Sequence, residues 1–292
     1  MIYDIRHVTM YEYGSAVTFS HCALRLLPHD EPGQTVIETE LSIDPQPREM
    51  IERLCFFGNR VTSLTIATAH RRLLIEAKAS VDIARDPPPE PQKTIGWEAV
   101  RDDAFGSSSL SPDSPVHFLH PSRFVPRFHP AADYAGTSFL PGRPVLEAAI
   151  DLMHRMRNDF TYDRKATIVS TPLSEAFEKR SGVCQDFAHI MIAGLRGIGL
   201  PAAYVSGYLR TIPPEGKERL EGADATHAWV ALWCGEGTGF IGLDPTNCVL
   251  VGDDHISLAR GRDYADISPV AGIILGAGDQ EIEVKVDVVP RR

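Results

Sequence analysis

The sequence predicts an α+β fold in two parts, an all-β first half followed by a half in which helices precede strands. Three observations predict it. Apolar and polar residues alternate at the start and β-rich segments recur up to about residue 84, a proline-rich run interrupts at 86–95, and from Pro144 apolar residues recur at helical spacing before strand patterns return.

The chain of 292 residues exceeds the size of an ordinary single domain, so two domains are expected. Apolar residues make up 43% and charged residues 23%, the composition of a globular protein and not of a disordered one. With 29 basic and 39 acidic residues the net charge is −10, which repels polyanions and argues against nucleic acid as a partner. The first residues, MIYDIRHVTM, mix charges with apolar residues and lack the unbroken apolar core of a secretory signal. No apolar run approaches the length that spans a bilayer, so the expectation is a cytoplasmic chain with no membrane partner. Five widely spaced cysteines with no CxxC pair fit a reducing compartment and suggest neither a zinc site nor a redox motif.

In the first half, Tyr3, Ile5, His7, Thr9 and Tyr11 alternate with their neighbours, and strand-like segments recur near 19–27, 35–44, 61–69 and 73–84. Turns at Pro28 to Gly33 and at Gly58 to Asn59 separate them, which predicts a sandwich or small barrel. The run DPPPEPQKTI (86–95) cannot be helical and lacks ladder donors, so it reads as an extended linker. A short helix is expected over 96–104, with mixed signals from there to 143.

From Pro144 the period becomes helical: Val145, Ile150, Leu152, Met153, Met156 and Phe160 fall on one broad face. A second short helix is expected after Thr171, which would cap it ahead of Pro172. The next helix carries Val183, Phe187, Ile190, Met191, Gly194 and Ile198 and should be buried, fraying at Gly197 and Gly199 and ending before Pro201. Strands follow at 204–209, at 226–234 and at 239–247. Residues 215–224 read as a polar loop able to gate a cleft, and EIEVKVDVV near the C-terminus as a strand that pairs back onto a sheet.

Cys184 falls in the first turn of the buried helix. Unpaired backbone N–H groups and the positive end of the helix dipole there favour a thiolate, and the Cys184 N–H can face the oxygen of an attacked carbonyl. A thiolate nucleophile needs a base that also returns a proton to the leaving group, and His227 at the start of a strand is the candidate. Asp244 ends the next strand ahead of Pro245. If the two strands are antiparallel neighbours, it can fix the imidazole tautomer. Taken singly each residue has an ordinary reading as a buried thiol, a packed His or a turn starter. Their order and their positions on a helix start and on successive strands are what point to a triad.

The stretches GVCQDFAHIMIAGLRGIGLPAAYVSGYL, ATHAWVALW and GLDPTN resemble the core of bacterial transglutaminase-like proteins, often described as presumed cysteine proteases. YEYGSAVTFSHCALRLLP is similar to the β domain that precedes this core in the family. The resemblance implies an α+β architecture with an all-β sandwich domain (1–85), a linker and irregular or helical connection (86–143), and a papain-like transglutaminase core with C-terminal strands (144–292). It also implies Cys184 as nucleophile, His227 as base and Asp244 as the orienting acid. No DxDxDG-type loop is present, so calcium dependence is not carried over, and no cofactor is expected.

Four further residues are candidates for substrate or oxyanion contact. Gln185 and Asp186 flank the nucleophile, and Asp186 equally suits the positive helix end. Tyr162 could supply the second oxyanion donor that an aromatic residue provides in related enzymes, and Trp229 shares a strand face with His227 and could wall an acyl pocket. His189 is turned away from Cys184 on the helix and reads as structural. Asp253, Asp254 and His255 resemble a metal cluster only on paper, because adjacent side chains diverge, and they read as a loop near the site. Cys22, Cys55, Cys234 and Cys248 read as small buried hydrophobes. The expected activity is cysteine-dependent cleavage of a peptide or isopeptide amide in a peptide or protein substrate, through a thioester. Acyl transfer to an amine and a non-catalytic peptide-binding module are the alternatives.

Overall fold

The computed structural model describes residues 1–211, 225–276 and 278–291. Alternation in the first residues produces β1 (Ile2–Val17), which turns Tyr3, Ile5, His7 and Thr9 inward. It is followed by β2 (Phe19–Leu24), β3 (Gln34–Asp44), β4 (Glu49–Leu54), β5 (Arg60–Ile66) and β6 (His70–Ile83). β4 was not foreseen, because all six of its residues are exposed and a strand without a buried face leaves no periodic signal.

The second half runs α1 (Trp97–Gly106), α2 (His129–Gly136), α3 (Val145–Asp159), β7 (Thr161–Tyr162), α4 (Leu173–Lys179), β8 (Ser181–Gly182) and α5 (Cys184–Gly197). It continues with β9 (Ala202–Leu209), β10 (Ala225–Trp233), β11 (Phe240–Asp244), β12 (Val249–Leu250), β13 (His255–Gly261), α6 (Tyr264–Ile267), β14 (Val270–Leu275) and β15 (Gln280–Pro290). The short helix expected to be capped by Thr171 instead has Pro172 at its N-cap with no side-chain cap. The Thr171 hydroxyl accepts from the Ile168 N–H and so serves the preceding turn. The start of α3 is capped from a distance: Ile95 O accepts from Val145 N and Thr94 Oγ1 from Leu146 N, so the end of the proline-rich run satisfies two orphan helix donors.

The sheets are closed by both ends of the chain. One runs β15-β1-β6-β3 and the second β14-β2-β5-β4. They face each other over a shared core that includes Tyr13, Val17, Leu24, Leu64, Ile66 and Ile75, a sandwich as anticipated. Its first sheet gains β15, antiparallel to β1 over eleven residue pairs from Tyr3↔Pro290 to Tyr13↔Gln280.

The other large sheet runs β12-β11-β10-β9-β13, and α5 packs on one of its faces. Ala228, Val230 and Leu232 of β10 meet Phe187, Met191 and Leu195 of α5 in a core that also takes Val100 and Ala104 of α1 and Ala131 and Ala135 of α2. The region 97–143 is thus built into the core around α5, which its mixed polarity did not disclose. Gly194 lets α2 approach, since a Cβ there would lie 2.9 Å from both Ala131 O and Ala135 Cβ.

The sandwich and the α5 sheet join through a third cluster, in which Tyr3, Ile5, Val81 and Val288 pack on Tyr208, Ile256 and Leu258. β13 is the edge strand there, and two side-chain amides occupy its outward backbone groups. Gln34 donates to Ser257 O and accepts from Ser257 N, both at 2.9 Å. Asn59 does the same for Arg260, at 2.8 and 2.7 Å. Amides standing in for a sixth strand close an edge that would otherwise invite pairing.

Candidate active site

Cys184 is the first residue of α5, behind an N-cap at Val183 in extended conformation. The chain reaches it through β8, which pairs in parallel with β7 so that Tyr162 lies opposite Gly182. Asp186 secures this entry: its Oδ2 accepts from Val183 N at 2.8 Å and from the Thr167 hydroxyl at 2.6 Å. Burial raises its pKa and these two bonds oppose that. Gly182 is required beside it, because a Cβ there would fall 2.5 Å from the same Oδ2. The carboxylate considered for substrate contact is therefore engaged with the helix start. Gln185 is also buried and donates to Val169 O at 3.1 Å. Tyr162 is exposed, and its backbone pairs with the short strand that delivers Cys184.

His227 lies two residues into β10, and β10 pairs antiparallel with β11, the arrangement on which the placement of Asp244 depended. His227 Nε2 and Asp244 Oδ2 are 2.8 Å apart, with both residues buried. The Cys184 thiol lies near enough to the same imidazole to favour its charged form. With Nε2 committed to Asp244, Nδ1 is the atom left for the sulfur.

Asp244 accepts five hydrogen bonds. Oδ1 takes Thr246 N and Asn247 N at 3.0 and 3.1 Å, the turn that Pro245 initiates. Oδ2 takes His227, the Asn247 amide at 2.7 Å and His255 Nε2 at 3.2 Å. Burial alone would raise this carboxyl, but the bonds from His227, His255 and Asn247 and the imidazole charge hold it well below the usual carboxylate range. Burial likewise pulls His227 down, and the bond to Asp244, the nearby Cys184 and their charges overcome it, leaving the imidazole well above its usual value.

His255 and Asn247 were not identified from the sequence. The reading of 253–255 as a loop is corrected for His255, which opens β13 and is buried. Its Nδ1 accepts from Gly252 N at 3.4 Å, so Nε2 carries the proton given to Asp244. Asp254 faces elsewhere, bonded to Tyr3 Oη at 3.1 Å and Arg210 at 3.0 Å. Gly207 on β9, between the strands of the two histidines, makes their meeting possible: a Cβ would lie 2.4 Å from the Trp229 ring and 2.1 Å from Ile256 O. Trp229 lies over that gap, edge-on to His255 at 5.3 Å and 6.2 Å from His227. A glycine inside a strand was the available sequence signal.

The ligand atoms of His227, Asp244 and His255 lie within 4.8 Å of one another and could in principle hold a cation. They are bonded to each other, and Asn247 aims an amide donor at the shared oxygen, so a cation would have to displace three hydrogen bonds. His189 is buried, accepts from Tyr264 N at 3.2 Å and stacks on Phe124, a structural residue. Cys22 and Cys234 are buried as expected, but Cys55 and Cys248 are half-exposed, and Cys248, in left-handed conformation at φ 58°, lies 3.1 Å from His154 Nδ1. The segment 215–224 read as a gate lies outside the described residues. No helix among the described residues is long and apolar enough to cross a membrane.

Comparison with known proteins places this geometry among relatives. Residues 3–82 match the pattern of the bacterial transglutaminase-like N-terminal region, and residues 136–245 that of the transglutaminase-like superfamily, a span holding Cys184, His227 and Asp244. An uncharacterised protein of Mycobacterium tuberculosis is 40% identical over 297 residues, covering 99% of this chain and 92% of its own length. A protein-glutamine gamma-glutamyltransferase of Pseudomonas aeruginosa is 29% identical over 145 residues, 49% of this chain and 22% of its own. Among solved structures, a presumed cysteine protease from Cytophaga hutchinsonii superposes with a TM-score of 0.75 at 22% identity, covering 100% of this chain and 92% of its own.

Proposed function

The chain belongs to the transglutaminase-like superfamily, and on that premise we propose that it opens amide bonds through a thioester formed on Cys184. The observation that carries the reading is the His227 imidazole, bonded to Asp244 at 2.8 Å and raised in pKa by the nearby thiol at the head of α5.

In this reading the sulfur attacks the amide carbon as its proton passes to His227. The oxygen takes the negative charge and faces the unpaired N–H groups at the start of α5. Exposed Tyr162, beside Gly182, is the candidate second donor. The imidazolium gives its proton to the amine nitrogen, the C–N bond breaks, and the acyl group stays on sulfur as a thioester. Water then attacks, His227 takes its proton, and the carboxylic acid leaves with the thiol restored. Asp244 keeps the imidazole oriented throughout, and its five bonds keep Asp244 itself from turning.

The substrate class is a peptide or protein amide. Screening peptide amides by mass spectrometry should show products with the wild type and none with Cys184→Ala; cleavage that survives in the variant rejects the reading. The similarity to a glutamyltransferase favours a second outcome, in which an amine resolves the thioester. Added hydroxylamine separates the two, yielding hydroxamate where a nucleophile other than water is accepted.

A further inference from the structure

A second concave region lies on the face of the catalytic sheet opposite α5. It is a cavity of about 990 Å³, and Cys184, His227 and Asp244 are not among the residues that line it. Its floor includes Val205, Trp229 and Ala231, side chains of β9 and β10 that cluster apart from those packed on α5. Phe240 closes one side.

Arg260 enters this cavity from β13. Its guanidinium carbon lies 5.0 Å from the centre of the Phe240 ring and 5.7 Å from that of Phe118, so two phenyl groups hold it in place. Its backbone is taken by Asn59. Among the described residues, however, the guanidinium makes no hydrogen bond and no ion pair: Glu31 and Asp113 act on it only through space. Arg85 on the same wall differs, being held by Glu31 and by His255 O, each at 3.2 Å. A half-buried guanidinium with a free fork is suited to a carboxylate, which it can grip through two parallel bonds.

The rim carries the opposite charge. Asp102, Asp103, Asp113 and Glu236 line the cavity and are exposed, whereas Arg260 is half-buried. Acids at the mouth and a net charge of −10 repel a polyanion but favour a ligand that trails an ammonium behind its carboxylate. The half-buried Phe240 ring at the side favours a flat side chain. We propose that this cavity binds a zwitterionic aromatic α-amino acid, free or at the C-terminus of a short peptide, with its carboxylate on Arg260 and its ring against Phe240. Nothing in this assignment depends on the chemistry of Cys184.

Calorimetric titration of the full chain with L-phenylalanine and with glycyl-L-phenylalanine tests it, with the fluorescence of Trp229 and Trp233, both at the cavity wall, as a second readout. Saturable binding is expected, weakened about tenfold or more for phenylalaninamide, which lacks the carboxylate, and to a similar degree by Arg260→Met. Binding by phenylalanine alone assigns the free amino acid, and binding by the dipeptide alone assigns a peptide end. Arg260→Lys keeps the charge without the fork and should also lose about tenfold, which covers the case where Arg260→Met does not fold. The assignment is overturned if neither probe saturates up to about 10 mM, if the amide binds as well as the acid, or if a folded Arg260 variant binds unchanged.

Discussion

Asp244 shows how much of a site can depend on one side chain. Three side chains and two backbone groups converge on its carboxylate, and only His227 among them was legible in the sequence. Cys184 and His227 were legible because each begins an element with a strong pattern of its own. His255 was not, since its partner lies across β9 and reaches it only because residue 207 has no side chain. Asp244→Asn turns one of two accepting oxygens into a donor, so it cannot serve both the imidazoles and the backbone N–H groups of Thr246 and Asn247. It should lower turnover about 10²- to 10⁴-fold with near-UV circular dichroism preserved. His255→Leu removes one of five donors and should cost about 1 to 3 kcal/mol in urea unfolding, with a smaller loss of rate. The raised pKa of His227 contributes stability that is complete below the ordinary imidazole value and lost at alkaline pH. The lowered pKa of Asp244 contributes stability present above the ordinary carboxylate value and lost in acid. Across neutral pH the Asp244 part is flat, but the His227 part already declines, because between 6.5 and about 10 the folded chain keeps a proton that the unfolded one has released. His7 and His189 act on the acid side: burial lowers each from 6.5 to about 4, so the unfolded chain binds protons that the folded one refuses. Stability should fall as pH drops from 6.5 toward 4, by no more than about 3 kcal/mol per residue, and replacing His189 by Gln should flatten that slope in urea titrations at stepped pH.

At the scale of elements, α5 and β10 carry the account and were the elements read most fully from sequence. An apolar face carried along a 14-residue helix and the apolar, aromatic-bearing strand ATHAWVALW override local ambiguity. The unforeseen α2, β12 and β13 are short or defined by partners far along the chain, and β4 has no buried face at all. The entry to α5 is held by Asp186 reaching back to Val183, with Gly182 clearing the space. Gly182→Ala should displace that carboxylate, destabilise the protein by about 1 to 2 kcal/mol and slow acylation of Cys184. Combining Gly182→Ala with Asp186→Ser, which shortens the offending side chain, should recover part of the stability.

For the whole molecule, the last strands belong to the first sheets. β15 pairs with β1 and β14 with β2, so the sheet that carries His227 lies in sequence between strands of one sandwich. Alternation in EIEVKVDVV announced a strand, but nothing local could say which edge it would join. Deleting residues 270–291 should expose the edges of β1 and β2 and cause aggregation or loss of cooperative unfolding, read by light scattering and thermal melts. Gln34 and Asn59 bind the sandwich to β13, and through β13 to His255, so the two halves should unfold in one transition. The central claim is that this assembly turns Cys184 into an acyl carrier under the control of His227. It is tested most directly by mixing the wild type, Cys184→Ala and His227→Ala with p-nitrophenyl acetate and mapping the acetyl group by mass spectrometry over time. The account predicts rapid acetylation of Cys184 in the wild type, none at that position in Cys184→Ala, and acylation slowed at least about 100-fold in His227→Ala. Equal rates in the wild type and His227→Ala, or an acetyl group that settles first on another residue, would contradict it.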